Sequence, residues 1–280
     1  MSLDLDRRQR AMLNEMGVHV WWPQALAAAP QASPEATQSL PTAVAPAPLA
    51  VKPLSAPAQA LHPVVNAAPA AAPVEDVGNL DWSTLAQKVA ACTACKLSLG
   101  RRAVVFPAAR APGPADWMVI GEPPDDNEER LGLPFAGQAG QLLDNMLKAV
   151  GVRRWHPDGG DTPAAGSAYV SNCVKCRPAV ARNPEPQELA TCENYLQREV
   201  ALVQPKVILA LGRFAAQTLL QGSLPDTAGI PLGKLRGTVY RYQGVPVVVS
   251  YHPVYLLRTP QDKARAWADL CLARSVVTPA

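Results

Sequence analysis

The residues in this chain that first suggest chemistry are its six cysteines. Cys92 and Cys95 form one C-x2-C pair, Cys173 and Cys176 form a second, and Cys192 and Cys271 stand apart. Two such pairs fit a closed tetrathiolate site, which zinc or an iron–sulfur cluster can fill. Spacing alone selects Cys92, Cys95, Cys173 and Cys176. Six buried thiols without a metal are the plainer alternative, weakened because chance rarely yields two such pairs.

A second group of polar residues lies at the ends of apolar runs. Glu122 follows Trp117-Met118-Val119-Ile120-Gly121, Asn172 closes Ala168-Tyr169-Val170-Ser171, Gly212 follows Val207-Ile208-Leu209-Ala210-Leu211, and His252 follows a run over residues 245–250. After Glu122 the chain is rich in proline and carboxylates (Pro123, Pro124, Asp125, Asp126, Glu128, Glu129), then in glycine up to Leu143. Such a loop between a strand and a helix can bind a ligand, hold a cation or simply be solvated.

The elements that position these residues follow from periodicity. Strands are expected over 117–122, 168–172, 207–212 and 245–250. A helix over 135–150 places Leu142, Leu143, Met146, Leu147 and Val150 on one face and stops at Gly151. Further helices are expected over 185–203, through Ala215, Ala216, Leu219 and Leu220, and over 261–274. Continuously apolar strands alternating with helices indicate a parallel sheet covered on both faces. The expected fold is α/β, a three-layer α/β/α sandwich around a central, mostly parallel four-stranded sheet. Ligands bind beyond the carboxyl ends of such strands, where a carboxylate, an amide, a glycine and an imidazole converge.

Composition divides the 280 residues in three. Residues 1–22 are charged and then apolar, ending in Trp21-Trp22; they read equally as a docking motif for a protein partner and as a peptide that packs on its own domain or on nothing. Residues 23–76 are an Ala/Pro-rich linker, since frequent prolines break the helix that alanine favours. Residues 77–280 read as the globular domain, the one that would carry any catalysis. A net charge of +3 permits a polyanionic partner without arguing for one. No apolar run reaches the roughly 18–20 residues of a membrane span, and the N-terminus lacks a signal peptide's apolar region. The expectation is a cytoplasmic monomer with no membrane contact, in a reducing compartment where cysteines serve as metal ligands or buried thiols.

The glycine-rich loop resembles the GEAPG…PFVGRAGQLLD signature of the family 4 uracil-DNA glycosylases, the iron–sulfur branch of that superfamily. Asn172-Cys173-Val174-Lys175-Cys176-Arg177-Pro178 is similar to the N-x2-KCRP segment of that family, and His252-Pro253-Val254-Tyr255-Leu256-Leu257-Arg258 to its HPxYLLR motif. Leu235-Arg236-Gly237 fits as well. The resemblance runs from about residue 85 to 272.

The resemblance implies hydrolysis of the N-glycosidic bond of deoxyuridine in single- or double-stranded DNA, leaving an abasic site for base excision repair. It implies Glu122, Asn172 and His252 as catalytic residues, with Gly121, Asp125, Phe135 and Asn172 binding the flipped base. Tyr255, Leu256 and Leu257 would wedge into the base stack, with Arg258 and Arg182 meeting phosphates, joined by Arg177, Lys263 and Arg265. The implied cofactor is a [4Fe–4S] cluster on Cys92, Cys95, Cys176 and Cys192, which displaces Cys173 from the set that spacing selects. The chain departs from the family pattern at Pro123, Asp125 and Ala181, which puts rate and substrate range in question. The alternative function is a catalytically weak DNA-binding or scaffold protein that keeps fold and cluster; a zinc α/β hydrolase is a more distant one.

Overall fold

The computed structural model describes residues 77–278, apart from 109, 158–165, 179–181 and 225. The docking segment and the linker expected over residues 1–76, and Ala181, lie outside the described residues.

Six strands form one sheet: β1 (Trp117–Gly121), β2 (Arg153–Arg154), β3 (Ser167–Asn172), β4 (Val207–Leu211), β5 (Val239–Tyr242) and β6 (Val245–Ser250). Their order is β2-β3-β1-β4-β6-β5, parallel except for the β5–β6 hairpin. The sheet is thus mostly parallel, as expected, but has six strands rather than four. Both additions are edges. β2 is a two-residue arginine pair, and β5 reads Val-Tyr-Arg-Tyr with only Tyr242 buried. Neither is the continuous apolar run that marks a strand buried on both faces.

Alternation along the central strands divides the core in two. Met118, Ile120, Ile208, Ala210, Val247 and Val249 point to one face; Trp117, Val119, Val207, Leu209, Leu211 and Val248 point to the other. Helices α1 (Trp82–Ala91), α4 (Pro186–Val203) and α5 (Arg213–Leu220) cover the first face. Helices α3 (Gly137–Ala149) and α8 (Lys263–Val277) cover the second. The short helices α2 (Asp126–Leu131), α6 (Leu232–Leu235) and α7 (Pro253–Arg258) sit in the connections. No described helix is long and apolar enough to cross a membrane.

Helix starts are set by local chemistry. Asp81 Oδ1 accepts from Thr84 N at 2.8 Å to cap α1. Asp125 and Glu128 form a reciprocal capping box at α2. Pro186 opens α4, where an N–H would lack a helical partner. The helix expected from residue 135 starts later, because Phe135 is left-handed (φ 52°) and Ala136 is the cap.

Candidate active site

β3, β1, β4 and β6 are adjacent and parallel, so their carboxyl ends form one rim. Asn172 pairs in register with Gly121, and Gly212 N donates to Ser250 O at 3.0 Å, which ties the β4 end to the β6 end. The chain runs outward from β1 to β3 and then crosses back to β4, so the rim includes the point where strand order reverses, the usual place for a ligand in such sheets. Glu122, Asn172, Gly212 and His252 are thereby brought together.

Glu122 turns toward the start of α5. Its Oε1 accepts from Phe214 N at 3.0 Å, and a β-carbon on Gly212 would overlap the carboxylate. Burial pushes the acid up from 4.5 to about 7, opposed by the backbone N–H groups of Phe214 and Arg213 and by the Arg213 charge. Near neutrality the group can therefore carry or release a proton.

His252 caps α7, its Nδ1 accepting from Val254 N at 3.3 Å, with Pro253 at the first helical position. An accepting Nδ1 assigns the proton of the neutral ring to Nε2. Burial lowers the imidazole from 6.5 to about 4. The ring is thus a neutral donor at physiological pH. It stacks on Phe135 with centroids 5.0 Å apart and planes 27° from parallel. Gly121 lies against both rings: a β-carbon there would stand 2.5 Å from Phe135 Cζ and 3.5 Å from His252 Nε2.

Asn172 is almost fully buried. Its Nδ2 donates to Glu122 O at 2.8 Å and to Glu128 Oε1 at 3.3 Å. Its Oδ1 has no partner among the described residues. A buried amide with an open acceptor is prepared for a ligand N–H, because leaving it unmatched costs about 1–3 kcal/mol. Beneath it, Lys175 Nζ donates to Asn172 O at 3.0 Å and Ser171 Oγ at 2.6 Å and pairs with Glu199, whose Oε2 accepts from Tyr169 OH at 2.8 Å.

The remaining expected residues separate. Tyr255 and Leu257 are each 41% exposed on α7, and Arg258 is exposed. Leu256 is 1% exposed and turned into the protein, since successive helical residues lie about 100° apart. Tyr255 OH donates to Asp262 Oδ2 at 2.6 Å. Arg182 forms a two-pronged pair with Glu188 at 2.7 and 2.8 Å, Arg177 pairs with Glu129 at 2.8 Å, and Arg265 with Asp262 at 2.9 Å. The Asp125 carboxylate accepts from Glu128 N at 2.9 Å as a helix cap and faces solvent.

On the first face of the sheet, Cys92, Cys95, Cys176 and Cys192 line a single recess together with Arg101, Lys175 and Tyr195. Cys173 is not part of that wall. It is fully buried at the end of β3, where its N–H donates to Gly121 O at 3.0 Å. Two of the recess thiols already meet donors: Arg101 Nη1 lies 3.1 Å from Cys176 Sγ, and Lys175 N lies 3.3 Å from Cys192 Sγ. Burial pushes both thiols up, Cys192 to about 12, and these contacts oppose that shift in favour of the thiolate, the form that binds metal. No three His, Cys, Asp or Glu side chains among the described residues close on a point as a single ion requires.

Sequence reasoning missed several residues of the site's frame. Glu128 was passed over as one acid of a loop, although Asp125-x-x-Glu128 is a capping-box spacing. Arg154, which donates to Phe135 O at 3.1 Å and also to Pro134 O, carries no local signal. Arg236, Asp269 and Ser250, joined at 2.7 and 2.6 Å beneath the β6 end, are brought together only by the fold.

Residues 109–271 match the model of the uracil DNA glycosylase superfamily. The type-4 uracil-DNA glycosylase of Thermotoga maritima is 34% identical over 184 residues, spanning 65% of this chain and 85% of the relative. That of Archaeoglobus fulgidus is 35% identical over 159 residues (55% and 73%), and that of Pyrobaculum aerophilum 32% identical over 201 residues (69% and 93%). The family match covers more than half of the sequence and the relatives align over most of their own length: the chain belongs to the uracil DNA glycosylase superfamily, with type-4 enzymes among its relatives.

Proposed function

We propose that this chain releases uracil from DNA by hydrolysing the bond between C1′ and N1 of deoxyuridine, leaving an abasic site. The observation that carries the reading is the rim itself: a buried amide with an open acceptor, a neutral imidazole donor and a carboxyl near neutrality meet around Phe135 and Gly121. As the bond breaks, its electron pair leaves with uracil and negative charge develops on O2. The Nε2–H of His252 donates there, a contribution of about 3–4 kcal/mol for a well-placed donor. Asn172 Oδ1 accepts from N3–H. Phe135 stacks on the base; its ring now touches the imidazole, so an entering base replaces that contact and meets His252 at its own edge. Glu122 orients the water that adds to C1′ and takes up its proton.

Tyr255 and Leu257 fill the gap left by the extruded nucleotide, and Arg258 meets a phosphate. The buried Leu256 supports these contacts from behind. The donor set of the recess suits a [4Fe–4S] cluster on Cys92, Cys95, Cys176 and Cys192. When bound, that cluster supplies a covalent staple between the segment after α1, the turn after β3 and helix α4. The test is uracil release from an oligonucleotide by the iron-replete protein, read by alkaline strand cleavage; an intact strand points to the scaffold alternative.

A further inference from the structure

Glu128 is a buried carboxylate to which the mechanism above assigns no role. Its Oε2 accepts from Asp125 N at 2.7 Å, and its Oε1 accepts from Phe135 N and faces Asn172 Nδ2 at 3.3 Å. One side chain therefore holds both the backbone of Phe135, whose ring is expected to stack on the base, and the amide expected to read it. We propose that Glu128 is a positioning residue that sets base specificity, by holding the Asn172 amide in the one orientation that accepts from uracil and so excluding cytosine. The inference rests on the uracil-excision reading above and extends it to the choice of base.

The argument turns on what a flipped amide would meet. As placed, both Nδ2 hydrogens face oxygens, the Glu122 carbonyl at 2.8 Å and the Glu128 carboxylate at 3.3 Å, and Oδ1 is left for the ligand. A flip would remove both bonds and set Oδ1 against two oxygens in a buried place, where repulsion is poorly screened. The flipped amide would offer N–H to the base, which matches the N3 lone pair of cytosine. The amide as held offers an acceptor, which matches the N3–H of uracil. Burial pushes the Glu128 acid up, and the N–H groups of Asp125 and Phe135 oppose that shift; the ionised carboxylate can only accept, and in that form Glu128 permits one orientation. A glutamine in its place could donate to a flipped Asn172, leaving only the Glu122 carbonyl to oppose the flip.

Glu128 is itself fixed by the capping box, with Asp125 Oδ1 accepting from its N–H at 2.9 Å. Its bond to Phe135 N also helps hold that residue in its left-handed conformation (φ 52°).

The experiment compares wild type, Glu128→Gln, Glu128→Ala and Glu128→Asp as full iron-replete chains, with iron content and melting temperature measured on each. Free uracil and free cytosine are titrated as inhibitors of uracil release from a single-stranded oligonucleotide. The expected result for Glu128→Gln is at least about tenfold weaker inhibition by uracil together with new inhibition by cytosine. Glu128→Asp keeps the preference for uracil at a lower rate. A merely structural role lowers rate and melting temperature but leaves the ratio of the two inhibition constants unchanged. That unchanged ratio in Glu128→Gln, or in Glu128→Ala where Glu128→Gln does not fold, overturns the inference while the excision reading stands. A wild type that releases no uracil overturns both.

Discussion

The Glu122 carboxylate lies against the bare Cα of Gly212 so closely that a β-carbon there would overlap Oε1, and the same oxygen accepts from Phe214 N at 3.0 Å. Gly212 also has a φ of 104°, which side-chain-bearing residues rarely adopt. Gly212→Ala is therefore expected to displace the carboxylate, costing about 1–3 kcal/mol of stability and at least tenfold in excision rate. Single-turnover uracil release and a thermal melt check the two effects together. A variant that melts early yet excises at the wild-type rate would show that the position of Glu122 is unimportant.

The pH profile separates the two titrating groups. Glu122 is raised from 4.5 to about 7, so its active carboxylate form accumulates as pH rises through about 7. His252 is lowered from 6.5 to about 4 and stays neutral over that range. The rate should climb with one limb near 7, and Glu122→Gln should lower the plateau and flatten the limb.

Stability follows with opposite signs. The folded protein holds the Glu122 proton between 4.5 and about 7 where the unfolded chain has lost it, so that contribution fades as pH rises toward 7. The unfolded chain protonates His252 from 6.5 downward while the folded protein resists to about 4, so that contribution is lost as pH falls through this window. Glu122→Gln removes the opposing carboxyl contribution and keeps that of the histidine, so its melting temperature should rise more steeply with pH between about 4.5 and 6.5 than that of wild type.

The recess walls make a prediction for the metal. Cys92→Ser, Cys95→Ser, Cys176→Ser and Cys192→Ser should each lose iron, sulfide and the absorbance near 400 nm that an iron–sulfur protein shows. Cys173→Ser should keep all three, because its side chain is outside the recess. Loss of iron from Cys173→Ser would return the ligand set to the one that spacing selects.

Lys175 and Glu199 form a buried pair directly under Asn172. Removing one charge strands the other, at about 3–5 kcal/mol. Lys175→Met should destabilise the protein by that amount in a denaturant titration, and Lys175→Met with Glu199→Gln should recover part of it.

The rim was legible in the sequence because its strands are apolar on both faces and end abruptly in Glu122, Asn172, Gly212 and His252. The edges were not, since Arg153–Arg154 and Val239–Tyr242 lack that signature. For Leu256 the sequence contained an answer that motif reading passed over: after Pro253 the chain is helical, and three consecutive helical side chains cannot share one face. For Arg182 it contained none, because only the fold brings Glu188 to its guanidinium. Cys173 and Cys192 show the same division. Spacing favours the first, whereas helix α4 carries the second to the recess, where it faces Cys176 of the turn after β3.

The central claim is that the strand-end residues of this chain excise uracil. Free uracil released from a uracil-containing oligonucleotide, quantified by mass spectrometry for iron-replete wild type, Asn172→Ala and His252→Ala, tests it most directly. The account predicts uracil and abasic strand in equal amounts from wild type, with rates roughly 100-fold or more lower in His252→Ala, lower again in Asn172→Ala, and iron content unchanged in both. No uracil from wild type, or wild-type rates in both variants, would contradict it.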